Sequence, residues 1–134
     1  MRATSAVAAV CFTLVLVACG SNAAQKRVRG PAQQVADTVT ALEHDLLTRN
    51  YRDVCEQVFS SHARAQAGND SCPDFVRRGA AHLRAERIRI RSIVVRGRAA
   101  TAAVTTTARR QTPVRDTIQL VLENGRYRVS ALAQ

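Results

Sequence analysis

Hydrophobic positions along this 134-residue chain follow three regimes. Ala6 to Val17 is an apolar run behind a short start that carries Arg2. From Pro31 onward the apolar residues recur every three or four positions, and from Arg87 onward they alternate with polar ones. The first regime suits a leader segment, the second predicts amphipathic helices and the third half-buried strands.

Pro31 opens the first helix, where its missing N–H is no loss. Val35, Val39, Leu42 and Leu46 form one face, with Asp37, Glu43 and Asp45 off the stripe and Asn50 a stop; Asp37, Asp45 and Asp53, all off the apolar faces, are expected to be solvated. Tyr51, Val54, Cys55, Val58 and Phe59 give the face of a second helix that fades by Ala67-Gly68. Asn69-Asp70-Ser71 is a turn and cap signal, after which Pro73 and Asp74 start a shorter helix carrying Phe75, Val76, Ala80 and Leu83.

Arg87-Ile88-Arg89-Ile90-Arg91 alternates strictly, and the break at Ile93-Val94-Val95 predicts a bulge or a stretch buried on both faces. Gly97 turns the chain into a small, Thr-rich strand from Ala99 to Ala108, and Val114 to Glu123 is a third strand. Asn124-Gly125 predicts a two-residue type I′ hairpin. That turn pairs Glu123 with Arg126, Leu122 with Tyr127, Leu120 with Val129 and Ile118 with Ala131. Val121/Arg128 and Gln119/Ser130 then share the opposite, mostly polar face.

The fold class is therefore α+β, with N-terminal helices packed on a curled four-stranded antiparallel sheet. The helix pair around Ala41 to Phe59 and the strands from Ile88 to Leu132 resemble the NTF2-like (SnoaL-like) cone fold in order and length. The resemblance implies a pocket between sheet and helices, used for small ligands, catalysis or protein contacts.

Leu16-Val17-Ala18-Cys19, at the end of the first apolar run, resembles the lipobox of bacterial lipoproteins. It implies cleavage before Cys19, a diacylglycerol on the Cys19 thiol, and a protein held on the extracytoplasmic side of the cell membrane. The alternatives are ordinary secretion, with cleavage near Ala23 or Ala24, and an uncleaved N-terminal helix. On the lipoprotein reading, residues 1–18 are a signal peptide, 19–30 a flexible tether and 31–134 the NTF2-like domain. Lys26, Arg27 and Arg29 in the tether are either a second membrane contact or plain linker charge.

Aromatic residues make up 4% of the chain and Trp is absent, so the core must rest on Val, Ile, Leu and Ala. A thin core gains from a covalent staple. Of the 4 cysteines, Cys11 leaves with the signal and Cys19 is the lipid site. Cys55 and Cys72 remain as a disulfide in an oxidising compartment, worth about 3 kcal/mol in the chain-entropy model. The rival is a metal site of Cys55, His62 and Cys72, which lacks a fourth ligand.

The net charge is +10, carried by 20 Lys and Arg of which only Lys26 is Lys. Arg87, Arg89 and Arg91 share a strand face, with Arg96 and Arg98 at the next turn. Two readings stand: an anion-binding stripe, or a solvated face with an arginine-rich composition. Export argues against nucleic acid as a partner.

No constellation carries chemistry. Tyr51 and Tyr127 are the candidates to hold a ligand in a pocket, and each also suits a core position with a satisfied hydroxyl. Ser60-Ser61-His62 cannot act together, because adjacent helical residues do not face each other. No inward pair of carboxylates, metal motif or phosphate loop is present, so no catalytic residue and no cofactor is assigned. The sequence points to a non-enzymatic, lipid-anchored envelope domain that binds a small ligand or an envelope protein. The alternatives are an NTF2-like enzyme, such as an isomerase, or a binder of anionic surfaces.

Overall fold

The computed structural model describes residues 30–81 and 87–132. Cys19 and the lipobox-like Leu16-Val17-Ala18 before it lie outside the described residues, as do Lys26, Arg27, Arg29, His82 and Leu83.

Helix α1 runs Pro31–Thr48 and buries Val35, Val39 and Leu42. It ends where Arg49 turns left-handed at φ 59° and the N–H of Asn50 reaches back to the Asp45 carbonyl at 2.8 Å. Asp45 departs from expectation. It is 8% exposed, because the chain folds sharply back after Asn50 and brings α2 (Tyr51–Asp53) against the last turns of α1.

Helix α2 continues through a wider π-type stretch, Val54–Val58, closed by the Phe59 N–H on the Val54 carbonyl at 2.8 Å. The helix expected to run on to Ala67 stops here. Phe59 and Ser60 are extended, Phe59 bridges Val129 as a one-residue parallel pair, and the Ser60 N–H donates to the Val129 carbonyl at 2.9 Å. Backbone pairing with a strand edge thus replaces two helical hydrogen bonds, and Ser60 becomes the cap of a new helix. Its Oγ accepts from the Ala63 N–H at 3.1 Å, starting α3 (Ser61–Gln66). A 3₁₀ turn at Asn69–Ser71 leads into α4, Cys72–Ala80.

Four antiparallel strands follow as a meander in the order β1-β2-β3-β4. Their spans are Arg87–Arg96 for β1, Ala99–Thr107 for β2, Val114–Glu123 for β3 and Arg126–Leu132 for β4. The bulge in β1 falls at Arg91, between the paired Ile90 and Ser92. One extra residue there keeps Ile88, Ile90, Ile93 and Val95 packed on the core face. Val94 is 46% exposed, so the stretch is not buried on both faces.

The Asn124-Gly125 hairpin forms with both residues at positive φ, 51° and 76°, as a type I′ turn requires. Glu123/Arg126, Leu122/Tyr127, Val121/Arg128 and Leu120/Val129 pair as expected. Beyond Leu120 the register shifts by one, so that Gln119 meets Ala131 and Ile118 meets Leu132. The expected Ile118/Ala131 and Gln119/Ser130 pairs are therefore absent. The shift sits directly after Val129, where Phe59 and Ser60 engage the outer edge of β4.

The helices pack on one face of the sheet around a single core of Val, Leu, Ile and Ala that also takes Cys55, Cys72, Phe59 and Tyr127. Cys55 and Cys72 are bonded, with Cα atoms 6.1 Å apart, joining the π-type stretch to the start of α4. Both are buried. The bond removes Cys55 and Cys72 as metal ligands, and His62 is exposed. Among the described residues no group of His, Cys, Asp and Glu could hold a metal ion, and no helix is long and apolar enough to cross a membrane.

Candidate functional site

Between the helices and the inner face of the sheet lies an apolar cleft of about 310 Å³. Its back wall follows from the helical stripes: Leu42 and Leu46 of α1, then Val54 and Phe59. The sheet contributes Ile88, Val104 and Ile118, which register places on one face. Phe75, Val76, Gly79 and Ala80 of α4 form the third side.

Phe75 is a correction to the sequence reading. It was expected inside the apolar face of its helix, yet it is 51% exposed at this cleft. Helix α4 is pinned at Cys72 and Val76, which are buried, and the next position round the helix from Val76 turns outward. An exposed Phe beside an apolar cavity is surface that a ligand can cover.

Asp116 is the one ionisable side chain in the lining among the described residues. Sequence reasoning passed over it. The signal was present, since Asp116, Ile118 and Leu120 follow the two-residue period of β3 and the last two are core residues. In register, Asp116 stands opposite Val104, which stands opposite Ile90. Its Oδ1 accepts from the Thr117 N–H at 2.7 Å. Among the described residues the lining offers no second acid, tyrosine or histidine beside it, and Thr106 is its hydroxyl-bearing member.

The two tyrosines do not line this cleft. Tyr51 is half-buried against the core. Tyr127 is 4% exposed and its hydroxyl donates to the Gly97 carbonyl at 2.6 Å, tying the two hairpin ends together. One edge of Tyr127 borders a separate, more polar groove of about 690 Å³ with Thr38 and Arg126. The Thr38 hydroxyl donates to the Tyr127 carbonyl at 2.7 Å, so that groove is crossed by structural bonds.

Ser60 and Ser61 are capping residues rather than nucleophiles. Ser61 gives its N–H and its hydroxyl to Glu123, whose carboxyl those two bonds hold below its ordinary range. Asp45 goes the other way: burial first, then the nearby Asp53, raises its pKa against an opposing effect of His44. Neither group lines the cleft. Arg87 pairs with Glu43 at 3.2 Å, while Arg89 and Arg91 are exposed on the side of the sheet away from the helices. The arginine stripe therefore does not line the cleft.

No protein-family model matches the chain, and no curated protein matches it.

Proposed function

We propose that this chain is a lipid-anchored, extracytoplasmic binding domain of NTF2-like form, and that it takes a small apolar ligand between its helices and sheet. The observation that carries the proposal is the 310 Å³ cleft, walled by aliphatic side chains and bordered by the exposed Phe75. Its volume lies at the small end of ligand pockets. Element order, four α-helices ahead of a four-stranded antiparallel meander, supports the NTF2-like assignment. The lipobox at Leu16 to Cys19 supports the anchor.

Binding is the reading supported, because the described lining residues are almost all apolar and Asp116 is the one ionisable group among them.

The test uses the mature chain, residues 19–134 with Cys19→Ser, made in an oxidising compartment and examined by native mass spectrometry. Gly79 lines the cleft, and a Cβ there meets no heavy atom within 4 Å, so the position has room for a side chain and Gly79→Leu sets a bulky one beside the cleft. The expected result is an added mass on the parent chain that Gly79→Leu loses. Bare protein in both, with no line broadening or shift of cleft residues in NMR titrations with short alkyl ligands, overturns the proposal. Anchoring is tested separately: labelled palmitate should enter the full chain in a bacterial host and fail to enter Cys19→Ser.

A further inference from the structure

The charge of this molecule is unevenly spread between its two layers. Every described carboxylate lies on the helical layer except two. Asp116 faces the cleft, and Glu123 is bonded to Ser61 with Arg128 beside it at 3.9 Å. The outer face of the sheet is left with arginines and small neutral side chains. Strand register orders them in rows: Arg89 opposite Thr105 opposite Arg115, then Ser92, Ala103 and Thr117, then Val94, Thr101 and Gln119. Arg96 lies toward the other end.

Arg89, Arg91, Arg96 and Arg115 are exposed, and among the described residues none of them has an acidic partner. The pairs that do form, such as Arg77 with Asp74 on α4, are elsewhere. At about 4.8 Å between strands, Arg89 and Arg115 stand about 10 Å apart with the Thr105 hydroxyl between them. That spacing suits two guanidiniums on neighbouring phosphates, with hydroxyl donors filling the gap. Val94 gives the middle of the face an exposed apolar contact.

We infer that this outer sheet face seats on the anionic phospholipid leaflet that carries the anchor, leaving the cleft side free. The choice of surface rests on the lipid-anchor reading at Cys19. Residues 19–30, even fully extended, reach about 40 Å, so an anchored domain stays close to its leaflet at all times. A face about 33 Å long and about 14 Å wide then meets a planar array of phosphates with complementary charge. Orientation follows from the asymmetry, because the helical layer carries the carboxylates and is repelled.

The experiment is vesicle co-sedimentation with the mature Cys19→Ser chain, which carries no lipid, so that its result does not depend on anchoring. Vesicles of phosphatidylglycerol mixed with phosphatidylcholine are compared with phosphatidylcholine alone. Binding is expected to the anionic vesicles only, and to fall as salt rises. Arg89→Gln with Arg115→Gln should weaken it about thirtyfold. Arg77→Gln with Arg78→Gln removes the same charge from the helical layer and should change it less than about threefold. Equal losses in the two double variants, no loss in either, or no binding by the parent each overturns the inference. So does binding abolished by replacing only Lys26, Arg27 and Arg29 with Ala, or retention on soluble polyphosphate without vesicle binding. Failure of palmitate labelling, by contrast, strikes the anchor alone.

Discussion

Ser61 donates both its backbone N–H, at 3.0 Å, and its hydroxyl, at 2.6 Å, to the carboxylate of Glu123. This ties the first turn of α3 to the last residue of β3. Arg128, one strand over, donates to the carbonyls of Glu56 at 2.8 Å and Gln57 at 3.1 Å, where the π-type stretch ends. Two side chains at the mouth of one hairpin therefore close both helix ends that flank Phe59 and Ser60.

The Glu123 carboxylate is held below its ordinary pKa of 4.5, chiefly by the Ser61 hydroxyl and then by the Ser61 N–H. A depressed carboxyl adds stability at pH values above 4.5, and that stability is lost as pH falls through its folded value. Glu123→Gln should cost about 1 kcal/mol at pH 7, a few degrees in Tm. The difference from the parent should shrink below pH 4. Thermal melts of the two chains from pH 7 to pH 3 check this. A gap that stays constant with pH would assign the effect to packing instead.

Asp45 predicts the opposite slope. Burial and Asp53 raise its pKa above the ordinary 3.8, so its charged form costs stability at neutral pH. The cost vanishes as pH falls toward 3.8. The bonds at this helix end run to the backbone carbonyl of Asp45, from Asn50 and Thr48, and survive a side-chain change. Asp45→Asn should therefore stabilise by about 0.5–1 kcal/mol at pH 7 and by less at pH 4. Urea unfolding at the two pH values decides it, and a destabilised variant at pH 7 would show that the carboxylate is wanted.

The Cys55–Cys72 bond closes a loop with sequence separation 17 between two otherwise short helical pieces. Removing it with Cys55→Ala and Cys72→Ala should cost about 3 kcal/mol and lower Tm by more than about 10 °C. Reduction of the parent should reproduce the loss. An unchanged melting curve in reductant would mean that the bond is absent from the protein in solution or idle.

Period carried most of the fold. The stripe of α1, the alternation of β1 and the Asn124-Gly125 turn are local patterns, and local patterns translate directly into backbone geometry. What period could not carry was tertiary. The break at Phe59-Ser60 and the register shift after Leu120 are two sides of one event, the pairing of Phe59 with Val129, and these residues are 70 positions apart. Phe75 reads as core by its hydropathy, yet α4 buries Cys72 and Val76 and leaves Phe75 at the surface. Asp116 was readable from the two-residue period of β3, but a carboxylate beside a core stripe reads as a strand end until Val104 is seen opposite it.

Gly79 separates helix propensity from cleft occupancy at a single position. It lies within α4, one residue from the end, with open space where a Cβ would stand. Glycine there costs conformational entropy that no close approach of backbone requires. Gly79→Ala should stabilise the chain by about 0.5 kcal/mol and leave ligand binding intact, because a methyl group barely enters a 310 Å³ cleft. Gly79→Leu should gain similarly in helix propensity and yet lose the ligand. Melting temperature and retained mass, measured on both variants, check the two effects together. Loss of ligand in Gly79→Ala would place the binding surface on α4 itself, and retention in Gly79→Leu would move it out of the cleft.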